Sequence, residues 1–162
     1  MIHPLSDHAT AINPDWQCVE NWAFPSSDDS PLPGILVADD DQSIRDLLRA
    51  KLRNRGFTVW LAADGEEALE MYGLHQNEIG LVLLDVRLPR LDGPETLGVM
   101  REFDPSVECC FMGGRLGVYT MEHLEALTPL PFFEKPFRVL ETVEALWQLV
   151  GAQLNGKRNI ST

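Results

Sequence analysis

From Ile35 onward, short apolar runs of strand length alternate with segments whose apolar residues recur at helical spacing. That alternation restricts the fold more than any other property of the chain. Ile35-Leu36-Val37-Ala38 stops at three aspartates, as a strand buried on both faces would. Ile44, Leu47, Leu48 and Leu52 then repeat at helical spacing, and Gly56 is placed to end that helix. Phe57-Thr58-Val59-Trp60-Leu61 is rich in β-forming residues. Asp64-Gly65-Glu66-Glu67 has an acidic cap with Glu three residues on, a capping-box arrangement that opens a helix through Ala68, Leu69 and Tyr72. Leu81-Val82-Leu83-Leu84 is the most apolar run and ends at Asp85. Pro94 suits the first position of a third helix carrying Leu97 and Met100 inward. Val107 to Met112 reads as a fourth strand, and Thr120 as the cap of a helix containing Leu124 and Leu127. Phe132-Phe133 is a short fifth strand, and Val139, Leu140, Val143, Leu146, Trp147 and Val150 form the stripe of a last helix. Five strands alternating with five helices predict an α/β fold, a doubly wound parallel sheet in three layers.

The rest of the composition limits what such a domain does. With 162 residues the chain suits one domain plus tails. The expected divisions are a flexible N-terminal tail over 1–33, a domain over 34–151 and a polar C-terminal tail over 152–162. The first of these holds Pro4, Pro14, Pro25, Pro31 and Pro33, and the polar stretch Ser26-Ser27-Asp28-Asp29-Ser30. Its Trp16, Trp22 and Phe24 are unusual for a tail, and fit either a docking motif or a segment folded back on the domain. A formal charge of −12 argues against direct binding to DNA or RNA, which needs clustered Lys and Arg. No run reaches transmembrane length and no secretory signal opens the chain, so a soluble cytoplasmic protein with no membrane contact is expected. Cys18 stands alone and Cys109-Cys110 are adjacent, which gives no CxxC redox or zinc pair. His3, His8, His75 and His123 lack metal-ligand spacing.

In an open parallel sheet, ligands bind outside the carboxyl ends of the strands, where the strand order reverses. Asp39 and Asp40 follow the first strand, Asp85 follows the third, and Lys135 follows the fifth. Converging carboxylates repel one another unless a cation or proton compensates. Mg²⁺ suits them, because it takes oxygen ligands octahedrally and binds with few carboxylates plus a phosphate. Lys135 suits an anionic ligand at the same edge. Asp41 reads as a helix cap and Asp92 as a turn residue.

Ile35-Leu36-Val37-Ala38-Asp39-Asp40-Asp41, followed by Ile44-Arg45, resembles the opening motif of response regulator receiver domains. Leu83-Leu84-Asp85-Val86-Arg87-Leu88-Pro89, followed by Asp92-Gly93, resembles their phosphoacceptor motif, and Glu134-Lys135-Pro136-Phe137 their closing lysine–proline motif. The resemblance covers roughly 34–150. It implies a flavodoxin-like sheet of order 2-1-3-4-5 and a signalling receiver that catalyses only its own phosphorylation and dephosphorylation. Asp85 would take a phosphoryl group from a histidine kinase or phosphotransfer protein. Asp39, Asp40, Asp85 and the backbone carbonyl of Arg87 would hold Mg²⁺. Lys135 would bond Asp85 at rest and a phosphoryl oxygen afterwards, across a cis bond to Pro136. The output would pass through a downstream protein target, and a homodimer through the fourth helix, fifth strand and fifth helix is implied by analogy, although Trp147 equally suits the core.

Relatives carry Thr or Ser after the fourth strand; that position here is Gly113, followed by Gly114. The switch aromatic position holds Phe132. Two readings follow: a phosphorylatable receiver whose hydroxyl-coupled switch is rewired, or a phosphorylation-independent interaction module. The full set of Asp39, Asp40, Asp85 and Lys135 favours the first. Arg87 and Arg115 lie two residues beyond the acceptor and the missing hydroxyl. Either is placed to cover a phosphoryl group, or both are solvated loop arginines. An aspartate-nucleophile phosphatase or flavodoxin-like redox protein is disfavoured, because no DxDxT pattern and no phosphate-binding loop follows the first strand.

Overall fold

The computed structural model describes residues 32–158. Ten elements alternate: β1 Gly34–Ala38, α1 Gln42–Asn54, β2 Val59–Ala62, α2 Gly65–His75, β3 Ile79–Asp85, α3 Gly93–Phe103, β4 Cys109–Gly113, α4 Met121–Leu127, β5 Phe133–Glu134 and α5 Val139–Arg158. All strand pairings are parallel, in the order β2-β1-β3-β4-β5. The doubly wound, flavodoxin-like sheet is therefore present. The tail expected over 1–33, with Trp16, Trp22 and Phe24, falls almost wholly outside the described residues.

The central strands are apolar throughout because helices cover both faces. Leu36, Ala38, Val82, Leu84, Cys109 and Phe111 point to one side, where Ala68 and Tyr72 of α2, Leu97 and Met100 of α3 and Leu124 of α4 meet them. Ile35, Val37, Leu81, Leu83, Cys110 and Met112 point to the other, against Leu48 and Leu52 of α1 and Val143, Leu146, Trp147 and Val150 of α5. Three layers follow directly from this alternation. Burying each such Leu or Ile side chain contributes about 1.5–3 kcal/mol. Trp147 is core. The adjacent cysteines lie on opposite faces, and burial pushes the Cys110 thiol up to about 12 and the Cys109 thiol well above its ordinary value. Neither is a reactive thiolate at neutral pH.

Local chemistry sets the helix ends. Asp41 caps α1 by accepting from the Ser43 amide at 2.8 Å, and Gly56, at φ 94°, turns the chain out of that helix. Asp64 caps α2 by accepting from the Glu67 amide at 2.9 Å, while the Glu67 carboxylate accepts from Ala63 at 2.7 Å, one residue before the expected partner. Thr120 caps α4 by accepting from the His123 amide. Asp92 does more than make a turn: it caps α3 in a complete capping box with Glu95. Strand ends differ slightly from the apolar runs; Phe57 is buried ahead of β2 rather than paired within it. The last helix continues past Gly151, into the polar stretch expected to be a tail.

Gly93 sits against the end of β3. Its amide donates to the Val86 carbonyl at 2.9 Å, and a Cβ there would lie 2.4 Å from the Asp85 carbonyl oxygen and 3.1 Å from the Val86 Cα. Backbone cannot yield as a side-chain tip can. Gly93→Ala should therefore lower stability by about 1–3 kcal/mol in urea unfolding. A loss within experimental error would mean that the β3–α3 loop has room this geometry denies.

Candidate functional site

Parallel register brings the polar residues to one edge. Ala38 pairs with Leu84, so Asp39 and Asp85 leave adjacent strands at the same level. Met112 pairs with Asp85 and with Phe133, which carries the alignment across β4 to Lys135 just beyond β5. The edge lies where the winding reverses between β1 and β3, the position at which open α/β sheets bind ligands.

Lys135 is shared between two buried acids. Its Nζ donates to Asp39 Oδ2 at 2.5 Å and to Asp85 Oδ2 at 2.6 Å. Asp39 is fully buried and Asp85 is 6% exposed, so an unpaired charge at either would be costly. The second oxygen of each carboxylate is held alike, by the amide two residues on. Asp41 donates to Asp39 Oδ1 at 2.9 Å and Arg87 to Asp85 Oδ1 at 2.9 Å. The Lys135–Pro136 bond is cis, as the resemblance implied. The resemblance pairs Lys135 with Asp85 alone; the bond to Asp39 is additional.

Burial pushes the Asp39 carboxyl above its ordinary value, and the Asp85 charge adds to that, against the opposing pull of Lys135 and the Asp41 amide. For Lys135, burial pulls down, but the two carboxylates outweigh it and hold the ammonium above its ordinary value. The signs differ in consequence. Stability contributed by Lys135 is complete below the ordinary lysine value and is lost as pH rises through the elevated one. Asp39, as an acid raised on folding, costs stability as pH rises through its own elevated value.

Asp40 is exposed beside them, and Asp39, Asp40 and Asp85 each offer a carboxylate oxygen within 4.8 Å of the others. Octahedral Mg²⁺ with ligands at about 2.1 Å places its oxygens about 3–4 Å apart, so small side-chain movements fit the trio to the ion. The donor set is all oxygen and acidic, as that ion needs.

The predicted hydroxyl position is open. Gly113 is buried, yet a Cβ there would lie 3.7 Å from Asp85 Oδ1 and 3.6 Å from the Val86 Cβ, ordinary contact distances. Its φ lies outside the left-handed region occupied by Gly56 and Gly117. Neither space nor backbone demands glycine at 113. Gly114 is exposed, with a Cβ position 3.4 Å from the Lys135 carbonyl oxygen. Arg87 and Arg115 are both exposed, and Phe132 is half-buried against the α2–α3–α4 face.

Three features escaped the sequence reading. Arg45 donates from Nη1 to the Asp39 carbonyl oxygen at 2.7 Å. The Tyr119 hydroxyl donates to Asp92 Oδ2 at 2.8 Å, joining the β4–α4 and β3–α3 loops. Arg90, at φ 68°, pairs with Glu66 at 2.8 Å and Asp64 at 3.6 Å, tying the β3–α3 loop to the start of α2. Only Arg45 left a usable signal. A first-turn helical side chain points back towards the helix N-terminus, and here that is the aspartate cluster.

The chain matches the model of the response regulator receiver domain over residues 35–146. Sporulation initiation phosphotransferase F of Bacillus subtilis (strain 168) is 31% identical over 112 residues, 69% of this chain and 89% of that protein. Sensor kinase CckA of Brucella abortus (strain 2308) is 29% identical over 119 residues, 74% of this chain but 13% of that protein's length. Response regulator MprA of Mycobacterium ulcerans (strain Agy99), 48% identical over 67 residues, is likewise matched over only 28% of its length. Among solved structures, the CheX-CheY-BeF3-Mg+2 complex from Borrelia burgdorferi aligns with a TM-score of 0.62 and 25% identity, covering 72% of this chain and 88% of that one. Among the described residues no helix is long and apolar enough to cross a membrane.

The shared ammonium sets a stability test. Lys135→Met leaves two buried carboxylates without their cation and should cost about 3–5 kcal/mol near neutral pH in the absence of divalent ions. The deficit should shrink as pH falls into the carboxylate range, because Asp39, whose carboxyl is raised, then protonates. Urea unfolding at the two pH values measures it; an equal deficit at both would show that the acids do not depend on Lys135.

Proposed function

The chain belongs to the response regulator receiver domain family, and from that premise we propose that it accepts a phosphoryl group on Asp85 from a phosphohistidine of a kinase or phosphotransfer protein. Receivers are signalling modules of two-component systems, and phosphorylation on aspartate is general to them. The observation that carries the assignment to Asp85 is the Lys135 ammonium held between Asp39 and Asp85. That arrangement supports Asp85 as the acceptor, with Asp39 as the acid next to it and Lys135 as the cation that would answer the incoming charge.

In the transfer, an Asp85 carboxylate oxygen forms a bond to phosphorus as the phosphorus–nitrogen bond of the donor breaks. The leaving imidazole keeps the electron pair and takes up a proton. The Arg87 amide holds Asp85 Oδ1 and so fixes the direction of the carboxylate. Lys135 Nζ passes from Asp85 Oδ2 to a phosphoryl oxygen, where a preorganised charge is worth more than in water. Asp39, Asp40 and Asp85 would hold Mg²⁺, with the Arg87 carbonyl as the further ligand the resemblance implies, and the bound ion would supply the remaining neutralisation of the phosphoryl oxygens. The CheX-CheY complex from Borrelia burgdorferi contains BeF3 and Mg+2, which supports the same chemistry here. Arg87 and Arg115 are exposed; either guanidinium would cover the phosphoryl group against water if it turned inward, and otherwise both are solvated loop arginines.

The switch differs from that of relatives with a hydroxyl at position 113. Gly113 offers no side-chain donor to pull inward, so the response of the β4–α4 loop passes through backbone instead. A phosphorylation-independent interaction module is the competing reading, and the missing hydroxyl is what favours it.

Incubation with acetyl phosphate and millimolar Mg²⁺ should add one phosphoryl mass to the wild type and none to Asp85→Asn. An unmodified wild type would support the interaction module instead. Gly113→Thr should fold with stability within about 1 kcal/mol of wild type, since its Cβ meets only ordinary contacts. With beryllofluoride, hydrogen exchange across 114–120 should change more in that variant than in wild type; equal changes would show that the glycine does not alter the switch.

A further inference from the structure

We propose that Arg45 is a positioning residue for the metal site, setting where Asp40 presents its carboxylate; this rests on the Mg²⁺ reading above. Asp39 and Asp40 are adjacent but held very differently. Every polar group of Asp39 has a partner. Its amide donates to the Ala62 carbonyl at 3.1 Å, Oδ1 accepts from Asp41, Oδ2 accepts from Lys135, and its carbonyl accepts from Arg45 Nη1 at 2.7 Å. Asp40 is exposed and has no burial to confine it. Its position follows from the backbone that delivers it.

Arg45 acts on that backbone. The carbonyl it bonds belongs to the peptide plane that also contains the Asp40 nitrogen and leads to its Cα. Fixing the carbonyl direction fixes the plane, and with it the starting point of the Asp40 side chain. The Asp41 amide, bonded to Asp39 Oδ1, holds the other side of the same turn. Asp41 then caps α1, the helix that carries Arg45, so the loop between β1 and α1 is closed at three points. The bond crosses six residues and is short, as a charge-assisted bond should be.

The alternative role for a guanidinium bonded to Asp39 is simple relief of the repulsion among the three carboxylates. The two roles predict opposite signs. A charge that offsets the acids competes with a divalent cation, so removing it tightens Mg²⁺ binding. A positioning group supports the ligand set, so removing it weakens binding. The geometry points to positioning, because the bond goes to a neutral carbonyl rather than to Asp39, Asp40 or Asp85 carboxylate oxygens.

The full chain is titrated with MgCl₂ by calorimetry as wild type, Arg45→Lys and Arg45→Met, with unfolding in EDTA measured for each. Lys keeps the charge and loses the planar fork; Met keeps the stem and loses the charge. Both variants should bind Mg²⁺ about tenfold more weakly, the scale seen when a group that orients a metal ligand is removed. Stability in EDTA should change little, which separates positioning from general loosening of the fold. Tighter binding by Arg45→Met, wild-type affinity in Arg45→Lys, or a loss of EDTA stability that accounts for the weakened binding would each overturn the positioning role. A wild type that takes up no Mg²⁺ would instead overturn the metal reading beneath it, an outcome visible before either variant is compared.

Discussion

One ammonium holds the functional edge of this domain together. Lys135 reaches from the end of β5 to carboxylates at the ends of β1 and β3, and both acids are almost wholly removed from water. Buried acids this close would repel each other without it. Its position depends on β4, which separates β5 from β3 and sets the span the lysine must cover. The sheet order therefore serves electrostatics as well as packing: exchange two strands and the ammonium no longer sits between the acids. One ammonium against two carboxylates leaves a negative balance, which Asp40 deepens; that suits a divalent cation and leaves a cation in place for a phosphoryl oxygen.

Around this centre the loops are unequally fixed. On the β3–α3 side, Gly93 packs against the Asp85 carbonyl, Asp92 caps α3, and Arg90 ties the loop to Asp64 and Glu66. On the β4–α4 side, Gly113 leaves space beside Asp85 Oδ1, and Tyr119 connects the loop to Asp92 instead of to the acceptor. The tightly built side controls where the Asp85 carboxylate points. The more open side is where Gly113 brings no side chain to Asp85, so on the proposed reading a phosphoryl group there would meet backbone and not a hydroxyl.

The alternation of apolar runs and helical stripes was enough to predict five strands, five helices and a doubly wound sheet, because a strand covered on both faces has to be apolar throughout. Asp39, Asp40, Asp85 and Lys135 were legible for a related reason: each follows directly on a strand. Asp92 was read as a turn residue, since Asp before Gly-Pro suits a turn as well as a cap; only its hydrogen bonds with Glu95 decide between them. The helical run beyond Gly151 was hidden because glycine and polar residues lower local helix preference without forbidding a helix that already has several turns behind it.

What the sequence determined by itself is the set of groups and the strand ends that carry them. Periodicity and residue type are local properties, and they survive in one dimension. What only the tertiary structure decided is partnership: that Lys135 serves Asp39 as well as Asp85, that Arg45 holds the Asp39 carbonyl, and that a side chain would fit at Gly113 without strain. The physical reason is distance along the chain. Lys135 lies 96 residues from Asp39 and 50 from Asp85, and parallel register alone brings such groups within a hydrogen bond of one another.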